Sequence, residues 1–387
     1  MLKIAYLSSY TPRECGIATF TEDLIKSIDA LNVFEPSAII GINDLGSTYN
    51  YGKEVVMQID ATDGRTYHQV ADRINDSDFD LVNVQHEFGL FGGDWGNYLL
   101  TFLKKLSKPS ITTMHTTLSH DSRIFQTPES AAAHNKVVKG IGRYSSAITV
   151  MTKMAANILQ EDYNIDADKI RIIPHGTPPI PFVPSELAKD ALSLNGRIVL
   201  STFGLLSRDK GIHNAIKALP ELVKEWPDIL YVVIGATHPQ VRLRVGEKYR
   251  KRLVRLVKNL KIENNVKFHN RFLTKDELIQ YLQATDVYIC PYVNVDQLSS
   301  GTVTYALGAG RAIVSTPFYY ATEVLADGRG SLCKFKSPSS ITESIRQLLE
   351  NPEQRTSIEK LAYEYGQEMT WPKVASKYAS LFKEVIQ

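Results

Sequence analysis

Short apolar runs alternate with longer amphipathic stretches over nearly the whole chain. In the first half this pattern predicts strands at Ile4–Ser8, Ala38–Gly41, Glu54–Gln58, Leu81–Gln85, Ser110–Met114, Ala147–Met151 and Ile170–Pro174. Helices fall between them. Thr21–Ala30 carries Leu24, Ile25 and Ile28 on one face, and Trp95–Leu106 is a second candidate. Around residues 176–194 the rhythm breaks, and Pro174, Pro178, Pro179, Pro181 and Pro184 read as an interdomain linker. It restarts with Arg197–Phe203, Ile229–Gly235, Val266–His269, Val287–Cys290, Ala312–Ser315 and Ser331–Cys333. The last stretch, Trp371–Ile386, places Val374, Tyr378, Leu381 and Val385 on one side of an amphipathic helix.

Strand and helix signals in strict alternation argue for parallel, doubly wound sheets. The expected fold class is therefore α/β, with two Rossmann-like domains, 1–178 and 179–365, facing across a cleft at their strand C-termini. A chain of 387 residues is long for one core, which supports the division. The net charge of +2 gives no global ground for binding nucleic acid, so no nucleic acid is expected as a partner. Cys15, Cys290 and Cys333 form no CxxC pair, which disfavours disulfides and zinc and fits a reducing cytoplasm. The opening MLKIAYLSSY turns polar too soon for a signal peptide, and no run of about eighteen apolar residues could span a membrane. No GxGxxG follows a predicted strand, which disfavours a dinucleotide dehydrogenase.

Several loops carry chemistry. In Pro291–Pro317 a strand end leads through Ser299-Ser300-Gly301-Thr302 into a short helix and a second apolar run. Ser300 or Thr302 can cap that helix, whose N-terminus is a natural anion seat. In Phe203–Gly211, Lys210 lies at a strand-to-helix turn where it can reach a diphosphate, although a solvated loop explains the same letters. Gly16, after the first strand, lets backbone approach a ligand, and a plain turn fits equally. Gln85–Gly96 holds His86, Glu87, four glycines and three aromatic residues, which suits either a sugar-binding loop or a glycine-rich structural turn. His86 and Glu87 are adjacent with no further ligand spacing, so no metal is expected there. Asp76, Asp78 and Asp80 precede a strand and read as a polar turn. The run 242–261 contains nine Lys or Arg against Glu247 alone, a local net of +8. Its Leu253, Leu256, Val257 and Leu260 predict one buried helix face. The cationic face is open to two readings: simple solvation, or peripheral contact with an anionic membrane or phosphorylated lipid acceptor.

These motifs resemble the family-4 retaining glycosyltransferases of GT-B fold over essentially the full chain, most specifically at 204–211 and 291–317. The resemblance implies transfer of a hexose from a nucleotide-diphosphate donor, GDP-mannose or a UDP-sugar, to a carbohydrate or lipid-linked acceptor hydroxyl. It implies no bound cofactor, the nucleotide sugar being a co-substrate, and no metal. Lys210, with Gly204 beside it and the amides of Ser300, Gly301 and Thr302, would meet the diphosphate. Leu205 stands where the family has an arginine, and Arg208 is the candidate substitute. Where the family has two glutamates eight positions apart this chain has Gln297, expected at the donor sugar, and Tyr305, expected at the ribose or packed in the core. Gly16 would lie against the donor phosphates. His115 would lie against the donor sugar or be structural, and Arg271 would border the base. His86, Glu87, Phe88 and Gly89 would form the acceptor loop. The final segment, 366–387, would cross back to the first domain. The expected location is cytoplasmic, with membrane association on that face. The alternatives are another GT-B enzyme such as a sugar-nucleotide epimerase, or a catalytically silent nucleotide-sugar-binding protein.

Overall fold

The structure is a computed structural model describing residues 1–44 and 46–387. The chain divides into two compact units, 1–176 with 371–387, and 177–370. In the first, the strands are β1 (Ile4–Ser8), β2 (Ala38–Asn43), β3 (Val55–Asp60), β4 (Leu81–His86), β5 (Ser110–Met114), β6 (Ala147–Val150) and β7 (Ile170–Ile172). They lie in the order β3-β2-β1-β4-β5-β6-β7. In the second they are β8 (Ile198–Phe203), β9 (Ile229–Ile234), β10 (Val266–His269), β11 (Val287–Cys290), β12 (Ala312–Ser315) and β13 (Ser331–Leu332), ordered β10-β9-β8-β11-β12-β13. The pairings are parallel: Tyr6 faces Ile39 and Asn83, and Leu200 faces Tyr231 and Val287. With helices on both faces, β1, β4, β9 and β11 bury every residue, as in β9, ILYVVI. Both units are thus doubly wound α/β sheets. The strand order reverses between β1 and β4 and again between β8 and β11. Loops leaving the two strands at such a point part to opposite faces, opening a crevice at their C-terminal ends.

The proline-rich stretch is more than a linker. It contains the helix Ser185–Ala188 and a 3-10 turn, Asp190–Leu192, within the second unit. Prolines hide this from the pattern, and two buried polar anchors explain it. Asp286 accepts hydrogen bonds from the Ser185 hydroxyl, the Lys189 ammonium and the Val199 amide. Arg311, fully buried, donates to the carbonyls of Val183, Gln283, Thr285 and Ala309. The basic run is two helices, Pro239–Val245 and Lys248–Asn259, interrupted at Gly246 with φ 62°. In the second of them Leu253 and Val257 are buried. The helix Trp371–Ile386 packs Trp371, Val374, Tyr378 and Phe382 into the first unit's core beside Tyr6, Phe20 and Phe34. Among the described residues no helix is long and apolar enough to cross a membrane.

Candidate functional site

In the second unit the crevice between β8 and β11 gathers much of the residue set singled out in the sequence. Three glycines close its floor. A Cβ on Gly211 (φ 64°) would stand 1.9 Å from the Pro291 carbonyl oxygen, and one on Gly235 (φ 140°) 2.1 Å from that of Gly204. Gly204, with φ 126°, faces the methyl of Thr302, which its own Cβ would meet at 3.2 Å. Only glycine permits both these backbone angles and these approaches. Over this floor Lys210 Nζ lies 3.9 Å from the centroid of the Tyr292 ring. The Tyr292 hydroxyl is 2.9 Å from Thr302 Oγ1, which is 3.1 Å from Ser300 Oγ.

Ser300 caps the helix Gly301–Gly308: its hydroxyl accepts from the Val303 amide and its carbonyl from the Thr304 amide. The Gly301 and Thr302 amides therefore precede the first helical bond and point their dipoles outward. Burial first, and then the charges of Lys210 and Arg244, lower the pKa of His238.

Other expected donor residues are placed differently. Arg208 is exposed and lines a cavity of about 450 Å³ with Asp209, His213, Val293 and Lys336. It shares a 3-10 turn with Lys210, where residues two apart project in different directions. Arg271 sits after the edge strand β10 and is held by Glu277, its Nη1 2.9 Å from Oε2. Gln297 is half-buried and donates to the Ser299 carbonyl at 2.9 Å. Tyr305 is 8% exposed and packs among Tyr288, Val303 and Phe318, with the Phe203 ring at 6.1 Å. Tyr292 was not singled out from the sequence. A tyrosine after a strand-ending proline carries no local sign that its ring seats a lysine.

In the first unit the ends of β4 and β5 meet beside the helix Gly16–Asp29. The His115 amide donates to the His86 carbonyl, and its Nε2 lies 2.8 Å from Gln85 Oε1. Because the Gln85 amide nitrogen donates to Asn83, its oxygen is the acceptor and His115 carries a proton on Nε2. Burial depresses the His115 pKa well below the usual range. Phe20 meets His115 edge-on at 4.6 Å. Gly16 lies one turn earlier on the same helix face, with open space where its Cβ would be. Glu87 accepts from the Thr116 hydroxyl at 2.6 Å and the Phe88 amide at 3.0 Å, while burial raises its pKa.

The expected acceptor loop splits. Glu87 is half-buried and Gly89 is exposed with open space around it. His86 and Phe88 instead turn inward, because the apolar contacts available there outweigh their exposure. His86 is fully buried, stacks on Phe91 at 5.6 Å, and neither ring nitrogen has a hydrogen-bond partner among the described residues. Phe88 packs on His134 at 4.5 Å. The other glycines serve the turn: a Cβ on Gly92 would strike the Ala61 carbonyl at 1.8 Å, and Gly93 and Gly96 both have φ 77°. Asp78 pairs with Lys3 Nζ at 2.8 Å and Asp80 accepts the Lys3 amide, so both carboxylates are engaged structurally.

Residues 185–365 match the family described as glycosyl transferases group 1, and residues 60–179 match glycosyltransferase family 4. The chain belongs to the glycosyltransferases of GT-B fold. Within them it is 28% identical over 321 residues to an uncharacterized glycosyltransferase of Methanocaldococcus jannaschii, covering 80% of this chain and 76% of that protein. It is 24% identical over 327 residues to a phosphatidyl-myo-inositol mannosyltransferase of Mycolicibacterium smegmatis, covering 83% and 75%. Among solved structures, HepE of Anabaena with UDP aligns at a TM-score of 0.75 and 16% identity, covering 99% of this chain and all of that one. Sucrose-phosphate synthase of Thermosynechococcus elongatus aligns at 0.78 and 16% identity, covering 99% of each. At that identity the structural likeness carries the fold.

Proposed function

We propose that the chain transfers a hexose from a nucleotide-diphosphate donor to an acceptor hydroxyl with retention of anomeric configuration. The observation that carries this is the line Lys210–Tyr292–Thr302 at the start of the helix Gly301–Gly308. A departing diphosphate gathers negative charge, and a preorganised ammonium with outward amides stabilises that charge better than water does. Lys210 and the Gly301 and Thr302 amides take the diphosphate, with Gly204 giving its backbone room. Gln297 replaces a carboxylate at the sugar hydroxyls. Tyr305 supports the helix from below, so the ribose is held without the paired glutamates of the family pattern.

The donor is a UDP- or GDP-sugar: UDP occupies the HepE structure, and one relative is named a mannosyltransferase. That relative's name also favours a lipid-linked acceptor, received at Glu87 and Gly89. The location that suits these substrates is the cytoplasm. The test is donor turnover by the wild type and by Lys210→Ala.

A further inference from the structure

The two helices of the basic run display apolar side chains that the fold does not use. Pro239–Val245 has no buried residue, and Leu243 is 79% and Val245 46% exposed, between and beside exposed Arg242 and Arg244. In Lys248–Asn259 the buried residues are Tyr249, Leu253 and Val257. The opposite face presents Lys251, Val254, Arg255 and Lys258, all exposed. A flank of this helix, Arg252 and Arg255, joins His213 and Lys217 around a cavity of about 270 Å³.

Exposed single hydrophobes are ordinary. Three of them within a segment of local net charge +8, in a chain of net +2, are a concentrated pattern. Salt-tolerant apolar insertion needs the leucine and valines, and attraction to lipid phosphates needs the cations. One surface of this kind is an anionic bilayer. A nucleic acid would use the cations and leave Leu243 without a role.

We propose that residues 239–258 dock the second unit on an anionic lipid bilayer, with Leu243 and Val245 entering the interface and the surrounding Arg and Lys engaging lipid phosphates. The segment follows β9 directly, and the Leu206 amide and carbonyl bond Ala236 and His238 just before it. Docking therefore brings the loop that carries Lys210 to the membrane. Binding of this kind needs no sugar transfer.

The test is co-sedimentation of the full chain with phosphatidylcholine vesicles, with and without about a third phosphatidylglycerol. Binding only to the anionic vesicles is expected, falling by about tenfold or more in Leu243→Asp and again in the pair Arg242→Glu, Arg244→Glu. Unchanged thermal unfolding of these surface variants serves as the control for folding. No binding, equal binding to both vesicles, or binding indifferent to Leu243→Asp would overturn the proposal. So would full competition by duplex DNA with Leu243→Asp without effect, which would make the patch a polyanion surface.

Discussion

Gln297 and Tyr305 differ in kind although one sequence pattern pairs them. Gln297 is half-buried at the edge of the crevice, and its amide makes one hydrogen bond to the Ser299 carbonyl. Changing it to Glu removes that donor, a loss of about 1 kcal/mol, and leaves the fold intact. Tyr305 sits in an apolar cluster, where a carboxylate would be stripped of water. Tyr305→Glu should therefore cost about 3–5 kcal/mol in urea unfolding, against about 1 for Gln297→Glu. Equal losses in the two variants would contradict this account of the position. Glutamine and tyrosine are equally visible in the sequence. Their opposite environments follow from where the helix Gly301–Gly308 lies against β8 and β11, which no local pattern carries.

At the scale of elements, the strands were the most legible part. β1, β5, β10, β11 and β12 span the residues that the apolar runs predict; in β1, β11 and β12 the reason is plain, since a strand buried on both faces is apolar along most of its length. The helix Ser185–Ala188 was hidden by prolines and by an anchor, Asp286, about a hundred residues away. The loops were half-legible. Glycine marks a special backbone, but the sequence does not say whether a ligand or another loop needs it. Gly16 and Gly211 show the two cases. Gly16 begins its helix with open space at its Cβ, whereas Gly211 has φ 64° and abuts the Pro291 carbonyl. Gly211→Ala should destabilise the second unit by about 3 kcal/mol, and Gly16→Ala by less than about 1. Denaturant unfolding separates them, and a Gly211→Ala protein as stable as the wild type would refute the packing argument.

For the whole molecule, buried neutral histidines set a pH limit. Burial pulls His86 down to about 3 and His134 to about 4, from an ordinary value of 6.5. The unfolded chain binds protons there that the folded chain refuses, so stability is full above pH 6.5 and falls as pH drops toward these values. At pH 5 each group removes up to about 2 kcal/mol. Urea unfolding at pH 7.5 and 5.0 should show this loss, and His86→Phe should show less of it. Equal stability at the two pH values would contradict it.

In the proposed reaction Lys210, seated on Tyr292 beside the start of the helix Gly301–Gly308, manages the charge of a departing diphosphate. Nucleotide release from a panel of UDP- and GDP-sugars, compared between the wild type and Lys210→Ala, decides whether it does. The prediction is turnover of at least one donor by the wild type and a rate lower by about 10²–10³ in a variant that unfolds normally. Near-normal turnover in Lys210→Ala would contradict it.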